Sequence, residues 1–306
     1  MIAVAVGALM ALVATGDIFH SLFHPSARTT LSGVVIRAVW IAVRRLSARA
    51  PRLLLIAGPL GVLAAILNWA VLLVVGWALI YWPWMPEGYL LAEGLDPAAH
   101  NGFVDALYLS MVTLATLGFG DIAPADPVLR LVAPIEALVG FGLLTASLTW
   151  VLSLYPVLRR IRSLAEEVLT LEAAGDGDAC AALAEVPPAE AAAIISGLAS
   201  RLIAARTDLV QSELVYYFHP GDRLHSLADA LAVLLRIADD ASAPGRPPEL
   251  RLAGRRLRIA LEAIAGTLAG DILRSPGLGV AETFRAYAED HHPEGRPTRE
   301  ASALRS

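Results

Sequence analysis

The six residues Thr116-Leu117-Gly118-Phe119-Gly120-Asp121 combine types that can handle a bare cation without an ionised ligand. Glycines at alternate positions allow backbone conformations closed to other residues. Successive carbonyls can then face one side. Four such strands around an axis would stack rings of oxygens that replace the water shell of a dehydrated cation, with the Thr116 hydroxyl as the innermost ring. The acids Asp105, Asp121 and Asp126 nearby would give the outer end a negative potential that concentrates cations. A second set, His219, Asp222, His225 and Asp229, has metal-ligand types, and His225 and Asp229 stand one helical turn apart. With Pro220-Gly221 between them, a helix start capped by Asp222 explains the same residues, and no structural or catalytic metal is expected. No nucleophile–base set and no phosphate-binding glycine loop occurs, so an enzyme is not expected. The single cysteine, Cys180, excludes an intrachain disulfide and reads as a bystander thiol.

The elements that must position the first motif follow from composition. Of the 306 residues, 56% are apolar, and the mean hydropathy is +0.59, above the usual globular range. The apolar residues crowd into the first half, and the charges into residues 156–306. All 24 basic residues are Arg, which reads as a coding bias, and a net charge of −5 gives no case for nucleic-acid binding. Three stretches reach the roughly 20 apolar residues that cross a bilayer: 2–23, 53–82 and 129–155. The first has no basic leader and reads as a retained helix rather than a cleaved signal. Its Asp17 and His20 are read as sitting at interface depth or pairing with the next helix or the arginine-rich connector.

Arginine placement orients the chain. Arg28, Arg37, Arg44, Arg45, Arg49 and Arg52 make the first connector cytoplasmic, and Arg159, Arg160 and Arg162 do the same after the third span. The acids between the second and third spans mark the outer side. The N-terminus is therefore expected outside and the C-terminus inside, in the cell (inner) membrane. Trp82 and Trp84 fit the outer boundary, and Trp150 and Tyr155 the inner one. Leu31 to Leu46 reads as an amphipathic interfacial helix with Trp40 on its apolar side. No span carries arginine at every third position, so no voltage sensor is expected.

Residues 103–115 are too apolar for a solvated loop and too short to span, so they read as a re-entrant helix with Asn101 as N-cap. Its carbonyl pole would favour a cation below the 116–121 strand. Non-helical backbone at membrane depth is tolerated only where it lines a polar path or is buried in protein. Here the chain resembles the potassium-channel pore family in its helix–pore–helix form, from Asp105 to about Leu154. The segment Ser110-Met111-Val112-Thr113-Leu114-Ala115 leads into the filter, and Asp126-Pro127 with Arg130 is similar to the family's link into the inner helix. The stretch Asp17 to Pro25 before a basic connector is similar to bacterial relatives with one extra N-terminal helix.

The resemblance implies K+ as the permeant ion and a homotetramer in a lipid bilayer. It further implies ion-binding residues Thr116, Leu117, Gly118, Phe119 and Gly120, and filter support or an outer mouth at Asp121, Thr113 and Glu136. Gly140 and Gly142 are candidate gating hinges. For Glu136, a hydrogen bond behind the pore helix and a place in the outer vestibule are equally open. Leu117 and Phe119 replace the family's commoner Val and Tyr, and Phe119 lacks the hydroxyl that can tether the filter.

The expected class is an all-α membrane protein, with three spanning helices, a pore helix and filter loop, then a cytoplasmic helical bundle. Its parts are a first span (1–25), a basic connector (26–52), a pore domain (53–155), a helical domain (156–290) and a disordered tail (291–306). Helices are expected at 157–174, 188–217, 222–241, 250–273 and 280–290. Leu224, Leu227, Leu231, Leu234 and Leu235 would share one face, and Leu257, Leu261, Ile264 and Leu268 another. Rival readings are a weakly selective cation channel and a non-conducting, membrane-anchored interaction protein.

Overall fold

The computed structural model describes residues 1–23, 31–47, 53–219 and 222–291. The 26–52 connector lies partly outside these residues, and the expected tail lies outside them apart from His291. Among the described residues are ten α-helices and one two-stranded sheet, so the protein is all-α in class. The helices are α1 (Ile2–Phe23), α2 (Leu31–Ser47), α3 (Leu54–Tyr81), α4 (Phe103–Leu114), α5 (Pro127–Ala174), α6 (Ala179–Ala184), α7 (Pro188–Gln211), α8 (Leu227–Ala241), α9 (Pro248–Thr267) and α10 (Val280–His291). The strands are β1 (Tyr89–Leu91) and β2 (Ile122–Pro124). The chain divides into two units, residues 1–39 with 60–153, and residues 40–59 with 154–306.

In the first unit, α1, α3 and α5 are long and apolar enough to cross a membrane, and at most 28% of the most apolar stretch of each is buried within the chain. That exposure suits helices whose surroundings are lipid or further copies of the chain. α1 meets α3 through small residues. A methyl group on Gly7 would lie 2.3 Å from the Gly76 carbonyl oxygen, so the two backbones approach as only glycine permits. Asp17 is buried and accepts from the Leu31 and Ser32 amides at 2.8 and 3.0 Å and from the Trp69 indole N–H at 2.6 Å. Its carboxylate thus satisfies two orphan donors at the N-terminus of α2 and complements that helix's dipole. Trp150 packs on Trp69 of α3 with ring centroids 5.1 Å apart and is buried. Trp82, Trp84 and Tyr155 are exposed.

In the second unit, α7, α8, α9 and α10 pack as a helical bundle. Its core holds Ile195, Leu198 and Leu202 from α7, Leu231, Leu234 and Ile237 from α8, and Leu257, Leu261 and Ile264 from α9. α7 also has the length and composition of a span, but its alanine- and leucine-rich face is buried. Three sequence expectations change here. Leu224 lies outside the α8 stripe, in a short 3-10 turn at Arg223–His225, and is 46% exposed. Ser226 rather than Asp222 caps α8, accepting from the Asp229 amide. The expected 188–217 helix also stops at Gln211 and continues as a 3-10 turn over Glu213–Tyr217.

α5 corrects a fourth expectation. It continues without a break through Pro156 to Ala174, where a proline break between helices at 129–155 and 157–174 was expected. Within the second unit the Trp40 side chain is buried, with ring centroids 5.6 Å from Tyr217 and 5.5 Å from His291. The apolar side of α2 at this point is therefore covered by aromatic protein groups rather than by lipid. Cys180 is half-buried, and burial first, then the nearby Asp240, pushes its thiol up to about 11, so it is inert at neutral pH.

Candidate functional site

The 116–121 segment hangs between two fixed points. Upstream, α4 begins where the Gly102 amide donates to Asp105 Oδ2 at 3.1 Å, so Asp105 caps this helix with Gly102, not Asn101, at the N-cap. His100 holds the other Asp105 oxygen at 2.9 Å. The acid also sits where the helix dipole favours it. α4 ends at Leu114, and its last carbonyls are used at once. The Thr116 amide donates to Thr113 O at 2.9 Å, and the Leu117 amide to Val112 O at 2.9 Å. Downstream, β2 pairs antiparallel with β1, with Leu91 opposite Ile122, and the Ala92 amide donates to the Asp121 carbonyl at 2.8 Å. Asp126 then caps α5 by accepting from the Val128 amide at 2.8 Å.

Between these anchors the backbone alternates. Thr116, Gly118 and Gly120 have φ of 57°, 58° and 79°, and Leu117 and Phe119 are on the negative side. Alternating the sign of φ from residue to residue turns successive carbonyls toward a common side, which an extended strand does not do. Glycine accepts positive φ freely. Thr116 does not, because a β-branched residue there is a true outlier. Such an outlier costs on the order of 1–3 kcal/mol and persists only where its surroundings enforce it. Leu117 and Phe119 are 60% and 66% exposed, so a single chain leaves this strand bare.

Side chains around the strand supply the enforcement. Glu136 on α5 is fully buried and accepts from the Ser110 hydroxyl on α4 and the Tyr81 hydroxyl on α3, each at 2.5 Å. One carboxyl group on α5 therefore joins α4 to α3 and α5. Of the two sequence readings of Glu136, the structure has the one behind α4. The Tyr108 hydroxyl on α4 donates to Asp121 Oδ2 at 2.6 Å. That bond clamps the Asp121 end of the strand to α4. Gly140 is where α5 crosses the end of α4, and a methyl there would lie 1.9 Å from the Leu114 carbonyl oxygen. This close approach explains a glycine at 140 without a hinge. Gly142 meets nothing within 4 Å. Thr113 is half-buried, and its carbonyl holds the Thr116 amide.

Three of these partners, Ser110, Tyr81 and Tyr108, escaped the sequence reading. The only available signal was that a buried acid must find donors. Among the described residues, no group of three or more His, Cys, Asp or Glu could hold a metal ion. His219 Nε2 instead lies 2.9 Å from the His291 carbonyl oxygen, and His225 lies 3.8 Å from Glu166.

The family model described as "Ion channel" matches residues 67–155, the part of the chain that holds α4, the strand and the first half of α5. The chain is 32% identical over 133 residues to the uncharacterized membrane protein YdjJ of Bacillus subtilis, covering 44% of this chain and 38% of that protein. It is 38% identical over 97 residues to two-pore potassium channel 2 of Arabidopsis thaliana, covering 29% of this chain and 20% of that one. It is 46% identical over 54 residues to two pore potassium channel c of rice (Oryza sativa subsp. japonica), covering 16% and 12%. The chain thus spans well under half of each of these relatives. No solved structure matches it. Over residues 67–155, this membrane protein is similar to the ion-channel family.

Proposed function

We propose that this chain is a subunit of a potassium-selective channel, in which four copies surround one pore and K+ moves passively down its gradient. The observation that carries the reading is the alternation of φ sign at 116–120, with a threonine held in a conformation that only an enforced site retains. Each copy would contribute the carbonyls of Thr116, Leu117, Gly118, Phe119 and Gly120. Four copies would then supply, at each level, the ring of oxygens that replaces water around the ion. The bare Leu117 and Phe119 support an assembly, since one strand cannot surround an ion.

Asp121 adds negative potential at the outer mouth, and Tyr108 supplies the tether that Phe119 cannot. The expected topology, N-terminus outside and C-terminus cytoplasmic, puts that mouth outside. Gly142, unpacked midway along the inner segment of α5, is the better of the two hinge candidates. Purified full-length chain in potassium-loaded liposomes tests the reading. Potassium flux well above sodium flux is expected. Equal flux for the two ions would favour a weakly selective cation channel, and no flux would favour a non-conducting membrane protein.

A further inference from the structure

A cavity of about 800 Å³ lies along α5 and α7, clear of the strand. Its α5 wall is Tyr155, Arg159, Arg160 and Ser163, and its α7 wall is Arg201. Pro156, Leu164 and Ala204 complete it with apolar surface. The α5 residues recur at helical spacing, so they share one face.

Three guanidinium groups converge here, and each keeps donors to spare. Arg160 forks onto Asp208, with Nε to Oδ2 at 2.8 Å and Nη2 to Oδ1 at 2.6 Å. Asp208 is itself buried, which fixes the fork in place. That side-on geometry leaves the Nη1 hydrogens and one on Nη2 unused. Arg201 pairs through Nη1 alone with Oε2 of Glu167, a partly exposed acid. Arg159 has no carboxylate partner among the described residues. Three positive charges, one of them fixed by its fork, therefore face two carboxylates, and the remainder favours an anion. Arginine forks suit tetrahedral phosphate oxygens, which accept several such donors at once.

We propose that this cavity binds a phosphate group, with its apolar wall taking the adjoining part of the ligand. Tyr155 ends the 129–155 span and Pro156 follows it, which places the cavity by sequence at headgroup depth. An anionic phospholipid is therefore the ligand source that the chain's own layout favours. This does not depend on ion conduction, because the binding is read directly.

Full-length protein in neutral detergent is titrated with fluorescent phosphatidylglycerol and, separately, fluorescent phosphatidylcholine. Two exposed positions are varied: Arg159→Gln removes the unpaired cation, and Ser163→Asp puts a carboxylate into the cavity. Circular dichroism confirms that both variants remain helical. Saturable binding that prefers phosphatidylglycerol, and is weakened about tenfold by either variant, is the expected result. If millimolar inorganic phosphate displaces the lipid from the parent, the site still takes phosphate but is open to soluble sources. If phosphate does not displace it, the lipid is the source. Equal binding of both lipids, or phosphatidylglycerol binding unchanged in both variants, would overturn the proposal.

Discussion

The strand at 116–121 and the bundle core of α8 and α9 use the same residue types for opposite ends. In the bundle, Leu231, Leu234, Leu257 and Leu261 are fully buried, and the side chains are the structure. At the strand, Leu117 and Phe119 stand exposed while the backbone adopts the unusual conformation. The bundle is a packed minimum that loses stability when volume is removed. The strand is a strained conformation held from outside by Glu136, Ser110, Tyr81 and Tyr108, and it should lose function when its backbone or its clamps change. The contrast teaches that hydrophobicity alone does not say which atoms matter. In one region side chains carry the fold, and in the other they only present carbonyls.

Substitutions at matched positions should separate the two regions. Gly118→Ala puts a side chain at φ 58° and should abolish potassium flux while leaving helix content unchanged. Conduction like that of the parent would break the assignment of the strand. Leu231→Ala should lower the stability of the bundle by about 2–5 kcal/mol in chemical denaturation, with the ratio of potassium to sodium flux unchanged below the transition. A shift under about 1 kcal/mol would show that the α8 core is not as packed as its burial implies.

A smaller effect concerns His291, which closes α10. Burial first, opposed by hydrogen bonds to the Tyr216 and Tyr287 carbonyls and by Asp290, holds it down at about 4, with His219 also nearby. The unfolded chain takes up a proton near 6.5 and the folded chain does not until about 4. This histidine therefore costs stability as pH falls through that window, by at most about 3 kcal/mol. Denaturation at pH 7 and pH 5 should show a shallower loss in His291→Gln than in the parent. Equal slopes would exclude His291 as the source. Smallest is Tyr108→Phe, which removes the single hydrogen bond to Asp121 at a solvent-screened position. Folding should survive, and flux should decay faster when external potassium is lowered. Flux as durable as the parent's would show that the Asp121 clamp is dispensable.

Much of this was legible in the chain itself. The three spans, the short apolar helix and the alternating glycines are signals of composition and spacing, which need no knowledge of neighbours. The Leu257, Leu261, Ile264 and Leu268 stripe is likewise a local period, and all four are buried. What stayed hidden depends on partners far away in sequence. Glu136 finds Ser110 and Tyr81 across 26 and 55 residues, and Asp17 finds Trp69 across 52. No periodicity encodes such pairs. The Trp69–Trp150 ring contact was hidden for the same reason, since only the packed structure shows the two side by side. The break expected at Pro156 does not occur: a proline removes one bond of the ladder, and α5 runs on through it to Ala174.

The central claim is that carbonyls of residues 116–120 select the ion. The reversal potential of the purified protein in a planar bilayer, with potassium on one side and sodium on the other, tests it most directly. The account predicts a reversal potential displaced strongly from zero in the direction that marks potassium as the permeant ion. A reversal potential near zero would contradict it.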